Sequence, residues 1–262
     1  MKKVASLEYG VIFKKAFSDP FVFKAFARDI LGLELEIETV ETEKEFDKAV
    51  GPIQTKFDLF AEDKKNRVIV EIQRERKADH YDRFLYYHCA ALLQQAVQSA
   101  QYRPPLQVFT IVVLTSGDRH KRDVAITKFD PHDLKGQPLG EFRHQIVFLC
   151  PKYVCAETPA QYREWLLAID DSLDGEVEET DYQNAGILQA FDRILAADVT
   201  PQDRARMADE YSDELTIQEK VLQNQLETAQ RMLAGGLEVA LIAQFTELSE
   251  TRVKELRNEI AD

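Results

Sequence analysis

Alternating apolar and polar residues predict a β-hairpin over residues 56–73. Its two arms, 56–62 and 67–73, each show a period of two, and the residues between them are polar enough to reverse the chain. The apolar faces of the two arms coincide when Leu59 lies opposite Val70. Burial fixes this register, because a slip of one residue would turn the whole apolar face towards solvent.

This register places two carboxylates side by side on the polar face of the hairpin. Asp58 lies opposite Glu71 and Lys56 lies opposite Gln73, while Phe57 belongs to the apolar face. Adjacent carboxylates repel each other, but they are tolerated when a hard cation such as Mg²⁺ binds between them. The alternative is that both carboxylates lie on a solvated face of the sheet and bind nothing.

Hydrophobic residues at helical spacing predict helices on both sides of the hairpin. Residues 6–31 carry a row of phenylalanines, with a break and restart at Asp19-Pro20 and an end at Gly32. Residues 79–102 show a second long helical pattern. Before the hairpin we also expect a loose first strand at 33–45 and a connection at 47–52, and after it a polar exit at 74–77. The remaining predicted elements are a buried central strand at 107–115, an irregular segment at 116–140, a strand at 145–149 and a helix at 158–169.

The last third of the chain is patterned as helices that follow an acidic segment. Residues 170–181 are acidic and weakly apolar, which is typical of a solvated linker. Thr200-Pro201 starts a long helical pattern, which Gly235-Gly236 ends. Two short helices then follow, at 237–245 and 249–260.

Composition narrows the class of protein. Of the 262 residues, 45% are hydrophobic and 10% are aromatic, which is ordinary for a globular protein. No apolar run approaches the ~18 residues of a membrane span, and the first residues lack the apolar run of a secretory signal. The three cysteines and five histidines show no metal-ligand spacing. We therefore expect a cytoplasmic protein with reduced thiols and no zinc cluster.

The net charge of −13 is unevenly divided along the chain. Residues 1–156 carry 24 Lys and Arg against 22 Asp and Glu, whereas residues 157–262 carry 9 against 24. The first part can therefore present a local basic face, while the second is a poor phosphate binder. The basic cluster at 119–122 is either a solvated loop or a contact with a DNA backbone.

Several segments, taken in order, resemble the PD-(D/E)xK nuclease superfamily. The closest resemblance is to the recombination-promoting nuclease (Rpn) family of transposase-related proteins. Asp58 and Asp63, followed by Val70-Glu71-Ile72-Gln73, resemble the central pattern of that family. Phe13-Lys14-Lys15-Ala16-Phe17 resembles its opening, and Arg83-x-x-x-Tyr87 resembles its later helix. At the C-terminus, Ile242-Ala243 and Thr246-Glu247-Leu248-Ser249 resemble a further family element.

The sequence departs from the family pattern at two positions. Gly10 stands where the family usually carries an aspartate that can join the site, and Glu8 is the acidic residue nearby. Glu247 stands where the family carries a glycine.

The resemblance implies an α/β fold with a restriction-endonuclease-like mixed central sheet flanked by helices. A helical extension would follow at the C-terminus. We expect a nuclease-like core at 1–170, the acidic linker at 171–181 and a helical tail at 182–262. The charge of the tail argues against DNA binding there and favours contact with a protein partner or a second copy of the chain.

The resemblance also assigns roles to the site residues. Asp58, Glu71 and the carbonyl of Ile72 would hold Mg²⁺ or Mn²⁺. Gln73 stands where the wider superfamily has lysine, and Lys56 opposite it can supply the missing ammonium group. The alternative is that Lys56 is a surface residue of the strand.

Three further residues are weaker candidates for substrate contact: Lys14, Arg83 and Tyr87. Arg83 and Tyr87 lie one helical turn apart, so they contact a phosphate at the edge of the site or simply pack together.

The function implied by the resemblance is metal-dependent hydrolysis of DNA phosphodiesters by an endonuclease with little sequence specificity that promotes recombination. Two alternatives remain. One is a catalytically inactive protein of the same fold that assembles on DNA. The other is a defence nuclease that a protein partner regulates.

Overall fold

The structure is a computed structural model that describes residues 1–46, 54–74, 80–96 and 104–261. The expected connection at 47–52, most of the polar exit at 74–77 and both ends of the helix expected at 79–102 lie outside the described residues. The chain divides into two compact units, Met1–Arg204 and Ala205–Asp262. None of the helices in the described part of the chain is long and apolar enough to cross a membrane.

Most strands lie in the first two thirds of the chain, and the last third is almost entirely helical. The strands are β1 (Lys2–Lys3), β2 (Glu41–Glu45), β3 (Lys56–Glu62), β4 (Asn66–Gln73), β5 (Gln107–Leu114), β6 (Val124–Lys128), β7 (Gln145–Leu149) and β8 (Glu176–Val177). The α-helices are α1 (Gly10–Phe17), α2 (Pro20–Leu31), α3 (His80–Ala96), α4 (Ala160–Asp171), α5 (Ala185–Arg193), α6 (Pro201–Ala234), α7 (Val239–Thr246) and α8 (Glu250–Ala261).

A six-stranded mixed sheet in the order β2-β3-β4-β5-β7-β6 forms the centre of the first unit. Strands β4, β5 and β7 run parallel, and their outer neighbours are antiparallel. The apolar run in β5 is buried because this strand lies between two parallel neighbours. The mixed sheet with its flanking helices confirms the expected restriction-endonuclease-like α/β fold.

Helices α1 and α2 break where the sequence predicts. The Asp19 carboxylate accepts hydrogen bonds from the first amides of α2, Pro20 begins that helix, and Gly32 ends it with φ +67°. The phenylalanines of both helices are buried except Phe21, which is 53% exposed, and the rings of Phe17 and Phe26 pack against Trp165 of α4. This aromatic contact joins the N-terminal helices to α4.

Helix α3 packs on the sheet through a second set of buried apolar side chains. Phe84 contributes to one cluster together with residues of β5 and β7, and Ala91 contributes to another with residues of β3 and β4. Arg67 on β4 is also buried, since its guanidinium donates to the carbonyl of Ala91 at 2.7 Å and pairs with Glu62 at 2.7 Å. The helix is thereby fixed over the predicted hairpin.

Two expectations about the sheet need correction. The first strand is limited to Glu41–Glu45, and the loosely alternating residues before it are irregular. The segment at 116–140, expected to be irregular throughout, contains the edge strand β6. Strand β6 is largely exposed and lacks a strong apolar alternation, so its pairing with β7 is set by that neighbour rather than by its own pattern.

The acidic segment at 171–181 differs from a solvated linker. Helix α4 continues to Asp171, and β8 within the segment pairs antiparallel with β1 at the N-terminus. The first compact unit accordingly extends to Arg204. An acidic composition does not show that this strand has a pairing partner about 175 residues earlier in the chain.

The second unit has its own small hydrophobic core. Ala229, Ile242, Val253 and Leu256 are buried together within it. Glu247 follows α7 with φ +58°, a left-handed conformation that favours glycine, the residue expected at this position from the family resemblance. The helix pair at the C-terminus matches the predicted one.

We predict that Gly186→Ala destabilises the first unit. A Cβ atom at Gly186 in α5 would lie 2.5 Å from Cβ of Ala25 and 3.3 Å from Cζ2 of Trp165. Alanine normally stabilises a helix interior by up to about 1 kcal/mol, but overpacking costs about 1–3 kcal/mol. Chemical denaturation should therefore show a net loss of stability.

The control is the double variant Ala25→Gly/Gly186→Ala, which removes the opposing Cβ atom. It should recover part of the loss, with a favourable coupling energy of about 1 kcal/mol. A double variant whose loss of stability equals the sum of the two single losses would contradict a close approach of α2 and α5.

Candidate active site

The β-hairpin ladder opens at the two predicted carboxylates. Paired residues run from Glu62 opposite Arg67 to Leu59 opposite Val70, which is the predicted register. Beyond that point, backbone amides donate to side chains of the opposite strand. The amide of Asp58 donates to Oε1 of Glu71 at 3.3 Å, and the amide of Ile72 donates to Oδ2 of Asp58 at 3.1 Å. Each carboxylate is therefore held by the other arm of the hairpin.

The neighbouring strand β2 keeps its register with β3 but departs from regular backbone geometry at this level. Thr42 pairs with Leu59 and Lys44 pairs with Phe57, but Glu43 between them has φ +57°. A left-handed glutamate is unusual and is sustained only by its surroundings. Asp58 of β3, the first site carboxylate, therefore has no paired residue in the ladders with either β2 or β4.

The distortion turns Phe57 away from the face predicted for it. Phe57 packs with Phe60 and Ile69, which the alternation assigns to the other face of the sheet. Its ring also meets that of Tyr87 on α3, at 5.7 Å between centroids. The predicted orientation is therefore wrong for Phe57, because the strand does not keep its regular pleat through Asp58.

Burial and mutual repulsion make the carboxylate pair unusual. The Glu71 side chain is 1% exposed, and Asp58 is partly exposed. Burial, together with the nearby charge of Asp58, holds the pKa of Glu71 well above its ordinary value. Burial also raises the pKa of Asp58, an effect that the charge of Lys14 and the hydrogen bond from the Ile72 amide oppose.

Lysine side chains approach the pair from α1 and β3. Nζ of Lys14 lies 3.8 Å from Oδ1 of Asp58 and also forms an ion pair with Glu43. Lys56 forms an ion pair with Glu43, and its side chain is about half exposed. The predicted pairing of Lys56 with Gln73 lies beyond the last paired residues of the β3–β4 ladder. The contacts thus bring Lys14 to the carboxylate pair and place Lys56 on Glu43.

Helix α3 brings the remaining predicted residues to the end of β4. Nη1 of Arg83 donates to Oε1 of Gln73 at 2.9 Å. Cζ of the same guanidinium lies 5.2 Å from the centre of the Tyr87 ring. Arg83 and Tyr87 therefore pack against each other and also lie at the edge of the candidate site. Gln73 is buried, and its amide orientation is set because only its oxygen can accept from arginine.

Two acidic residues near the site have other partners. Glu8, the candidate substitute for the aspartate missing at Gly10, pairs with Arg74 at 3.4 Å, immediately after Gln73. Glu43 was not predicted as a site residue. No motif distinguishes it among the glutamates of β2, and a left-handed backbone conformation cannot be inferred from a glutamate in a polar strand.

The donor atoms at the opened hairpin suit a hard cation. Among the residues that the structure describes, no cluster of three or more His, Cys, Asp and Glu side chains could hold a metal. Mg²⁺, however, is commonly bound by one or two carboxylates together with waters and substrate phosphates. Asp58, Glu71 and the Ile72 carbonyl provide such a set, and a cation would relieve the repulsion between the partly exposed Asp58 and the buried Glu71.

Comparisons with known proteins agree with this geometry. The family model described as PD-(D/E)XK nuclease family transposase matches residues 21–222. No curated protein and no solved structure gave a match. The matched segment covers well over half of the chain and includes Asp58, Glu71 and Gln73. This chain therefore belongs to the PD-(D/E)XK nuclease family of transposases.

Proposed function

We propose that this protein is a divalent-metal-dependent DNA endonuclease with little sequence specificity that acts in recombination. The observation that supports this most directly is the reciprocal pair of hydrogen bonds at the opened hairpin. These bonds hold Asp58 and a buried Glu71 together although both pKa values are raised. Such a costly pair is typical of a site that binds a cation.

Asp58, Glu71 and the Ile72 carbonyl would hold Mg²⁺ or Mn²⁺. A bound divalent ion supplies charge neutralisation at a phosphate and lowers the pKa of water at the site. The protein contributes rigidity, because each carboxylate accepts a backbone hydrogen bond, and it contributes a poorly hydrated setting for Glu71, in which electrostatic interactions are stronger than in water.

Gln73 would orient the attacking water or the scissile phosphate. Arg83 occupies its amide oxygen, so the amide presents its Nε2 hydrogens as donors. A neutral amide cannot replace the positive charge that lysine gives other members of the superfamily. We propose that an ammonium group from elsewhere in the site provides that charge.

The sequence suggests Lys56 for this ammonium group, and the contacts favour Lys14. Lys14 approaches the Asp58 carboxylate directly, whereas Lys56 is separated from it by Glu43. Glu43 binds both lysines and would keep Lys14 extended towards the site. Arg83 and Tyr87, stacked at the end of β4, would contact the substrate backbone.

The wider role follows from the family. We propose DNA as the substrate, a cytoplasmic location, and a second unit that contacts a protein partner or a second copy of the chain rather than DNA. The excess of acidic residues in 157–262 supports that division, since phosphate binding needs positive charge.

Glu71→Gln should reduce metal-dependent cleavage of plasmid DNA by at least about 10²-fold. Glutamine retains an oxygen that can accept the Asp58 amide but carries no charge for a cation. The matched control is Glu36→Gln, which changes an exposed carboxylate outside the site. Unchanged nicking by purified Glu71→Gln would show that cleavage does not depend on this carboxylate and would overturn the assignment of a nuclease site to it.

The metal-free Glu71→Gln protein should be more stable than wild type at neutral pH. Because the folded-state pKa of Glu71 is raised, its ionisation disfavours the folded state as pH increases from the ordinary carboxyl value through the raised one. Thermal unfolding should show a gain of about 2–4 °C for each kcal/mol relieved. The gain should vanish at pH values below 4.5, the ordinary pKa of the group.

Mg²⁺ provides the complementary measurement. The Tm of wild type should rise as the Mg²⁺ concentration is increased, and the Tm of Glu71→Gln should rise much less. A pH-independent difference between the two proteins, or equal stabilisation by Mg²⁺, would argue against a cation site at this residue.

Lys14→Met and Lys56→Met should separate the two lysines. We expect Lys14→Met to lower the cleavage rate by about 10²–10³-fold, since the loss of one group that stabilises charge at a reacting centre has this order of magnitude. Lys56→Met should lose only a few-fold, as expected for an exposed ion pair. Lys14→Arg should recover only part of the activity, because a planar guanidinium is a poor substitute for a compact ammonium. A larger loss of cleavage rate in Lys56→Met than in Lys14→Met would assign the role of the ammonium group to Lys56 instead.

A further inference from the structure

A loop rich in basic residues connects β5 to β6 beside the candidate active site. It begins after Leu114, at the same end of the parallel strands as Gln73. The amide of Thr115 donates to the carbonyl of Gln73 at 3.2 Å. At the other end of the loop, the amide of Cys150 after β7 donates to the carbonyl of Asp123 at 2.8 Å. The loop therefore lies across the carboxyl-terminal ends of the parallel strands, where the candidate site also lies.

The basic side chains of this loop are exposed to solvent. Arg119, Lys121 and Arg122 are exposed, as is His120 between them. Within the described part of the chain, no ion pair joins the three permanently charged side chains to a carboxylate. These cations are thus displayed to solvent in a protein whose net charge is −13.

The acidic residues that flank the cluster are turned inwards. The Asp118 side chain is 1% exposed, and its Oδ1 accepts the amides of His120 and Lys121 at 3.1 and 3.0 Å. Oδ2 of Asp123 accepts the hydroxyl of the buried Thr158 at 2.5 Å. The hydrogen bonds of both carboxylates are made within the fold, and neither carboxylate forms an ion pair with the three exposed cations in the described part of the chain.

Aromatic residues fix this loop to the rest of the site. Tyr81, in the first turn of α3, donates its hydroxyl to the Asp118 carboxylate, and the guanidinium of Arg119 lies 5.9 Å from the centre of its ring. Tyr153 donates to the carbonyl of Asp118 at 3.3 Å. Arg83, which binds Gln73, lies in the same helix as Tyr81.

The backbone of the loop is held in an uncommon conformation. Lys121 has φ +52°, which a residue with a side chain seldom adopts. Gly117 has φ +71°, and a Cβ atom there would lie 2.5 Å from the Tyr153 ring. A solvated loop without a function does not need such constraint, and strained backbone is concentrated at functional sites.

We infer that the loop carrying Arg119, Lys121 and Arg122 binds the phosphate backbone of double-stranded DNA next to the cleavage site, with Asp118 as the residue that positions it. The inference rests on the proposed function, because it takes DNA as the substrate. Backbone contacts of this kind position a duplex without reading its sequence, which agrees with an endonuclease of little specificity.

The test measures equilibrium binding of a labelled DNA duplex by the full-length Glu71→Gln protein, so that cleavage does not interfere. In this background, the triple variant Arg119→Gln/Lys121→Gln/Arg122→Gln should bind at least about tenfold more weakly. The slope of log K against log salt should also fall in magnitude by about 2–3, one for each phosphate contact that is lost.

The matched control removes the same amount of positive charge at the opposite ends of the parallel strands. Lys64, Lys65 and Arg143 are exposed and lie at the amino-terminal ends of the parallel strands. The variant Lys64→Gln/Lys65→Gln/Arg143→Gln should bind DNA within about threefold of the parent and keep its salt slope, because charges farther away than a Debye length are screened.

Each outcome has a distinct meaning. Equal weakening by the two triple variants would show an effect of net charge alone and would overturn the inference, as would parental affinity in the loop variant. If the loop variant binds normally while Glu71→Gln abolishes cleavage by wild type, the proposed function stands without the loop. If wild type neither binds nor cleaves DNA with Mg²⁺ or Mn²⁺, both proposals fail together.

Discussion

The exchange of hydrogen bonds across the opened end of the hairpin is the interaction on which the site depends. Backbone amides of Asp58 and Ile72 bond to carboxylates of the opposite arm instead of continuing the ladder. The carboxylates thereby replace backbone carbonyls as acceptors, which keeps the buried amides satisfied. The same exchange holds the two acids near each other at a place where burial and repulsion disfavour their charges.

Helix α3 connects this hairpin to the rest of the sheet edge. Arg67 at the start of β4 bonds to the last turns of the helix, and Gln73 at the end of β4 bonds to Arg83 near its beginning. Tyr81, in the first turn of the helix, contacts the loop after β5. A single rigid helix therefore sets the positions of the motif glutamine and the basic loop, so a displacement of α3 would change both.

The balance of charge around the carboxylates depends on a residue from outside the hairpin. Glu43 binds Lys14 and Lys56, and its pKa is lowered by these two lysines although burial acts in the opposite direction. Lys14 reaches the site from α1, which contacts both strands of the hairpin. The positive charge near Asp58 is thus an outcome of packing between an N-terminal helix and the sheet.

The sequence by itself determined the features that rest on local patterns. Alternation fixed the hairpin register, the Asp19-Pro20 pair fixed the break between α1 and α2, and the apolar run of β5 identified the buried central strand. These features could be predicted because a register, a cap or a buried strand is specified by residues that are neighbours in the chain.

Tertiary structure decided the features that depend on residues distant in the chain. The rotation of Phe57, the left-handed Glu43 and the approach of Lys14 to Asp58 all occur where β2, β3 and α1 meet. Strand β6 and the pairing of β8 with β1 likewise exist because a partner strand is present. A period in the sequence assigns a residue to a face, but only packing determines which side chains from other elements contact it there. The charge around the candidate active site is set by such contacts.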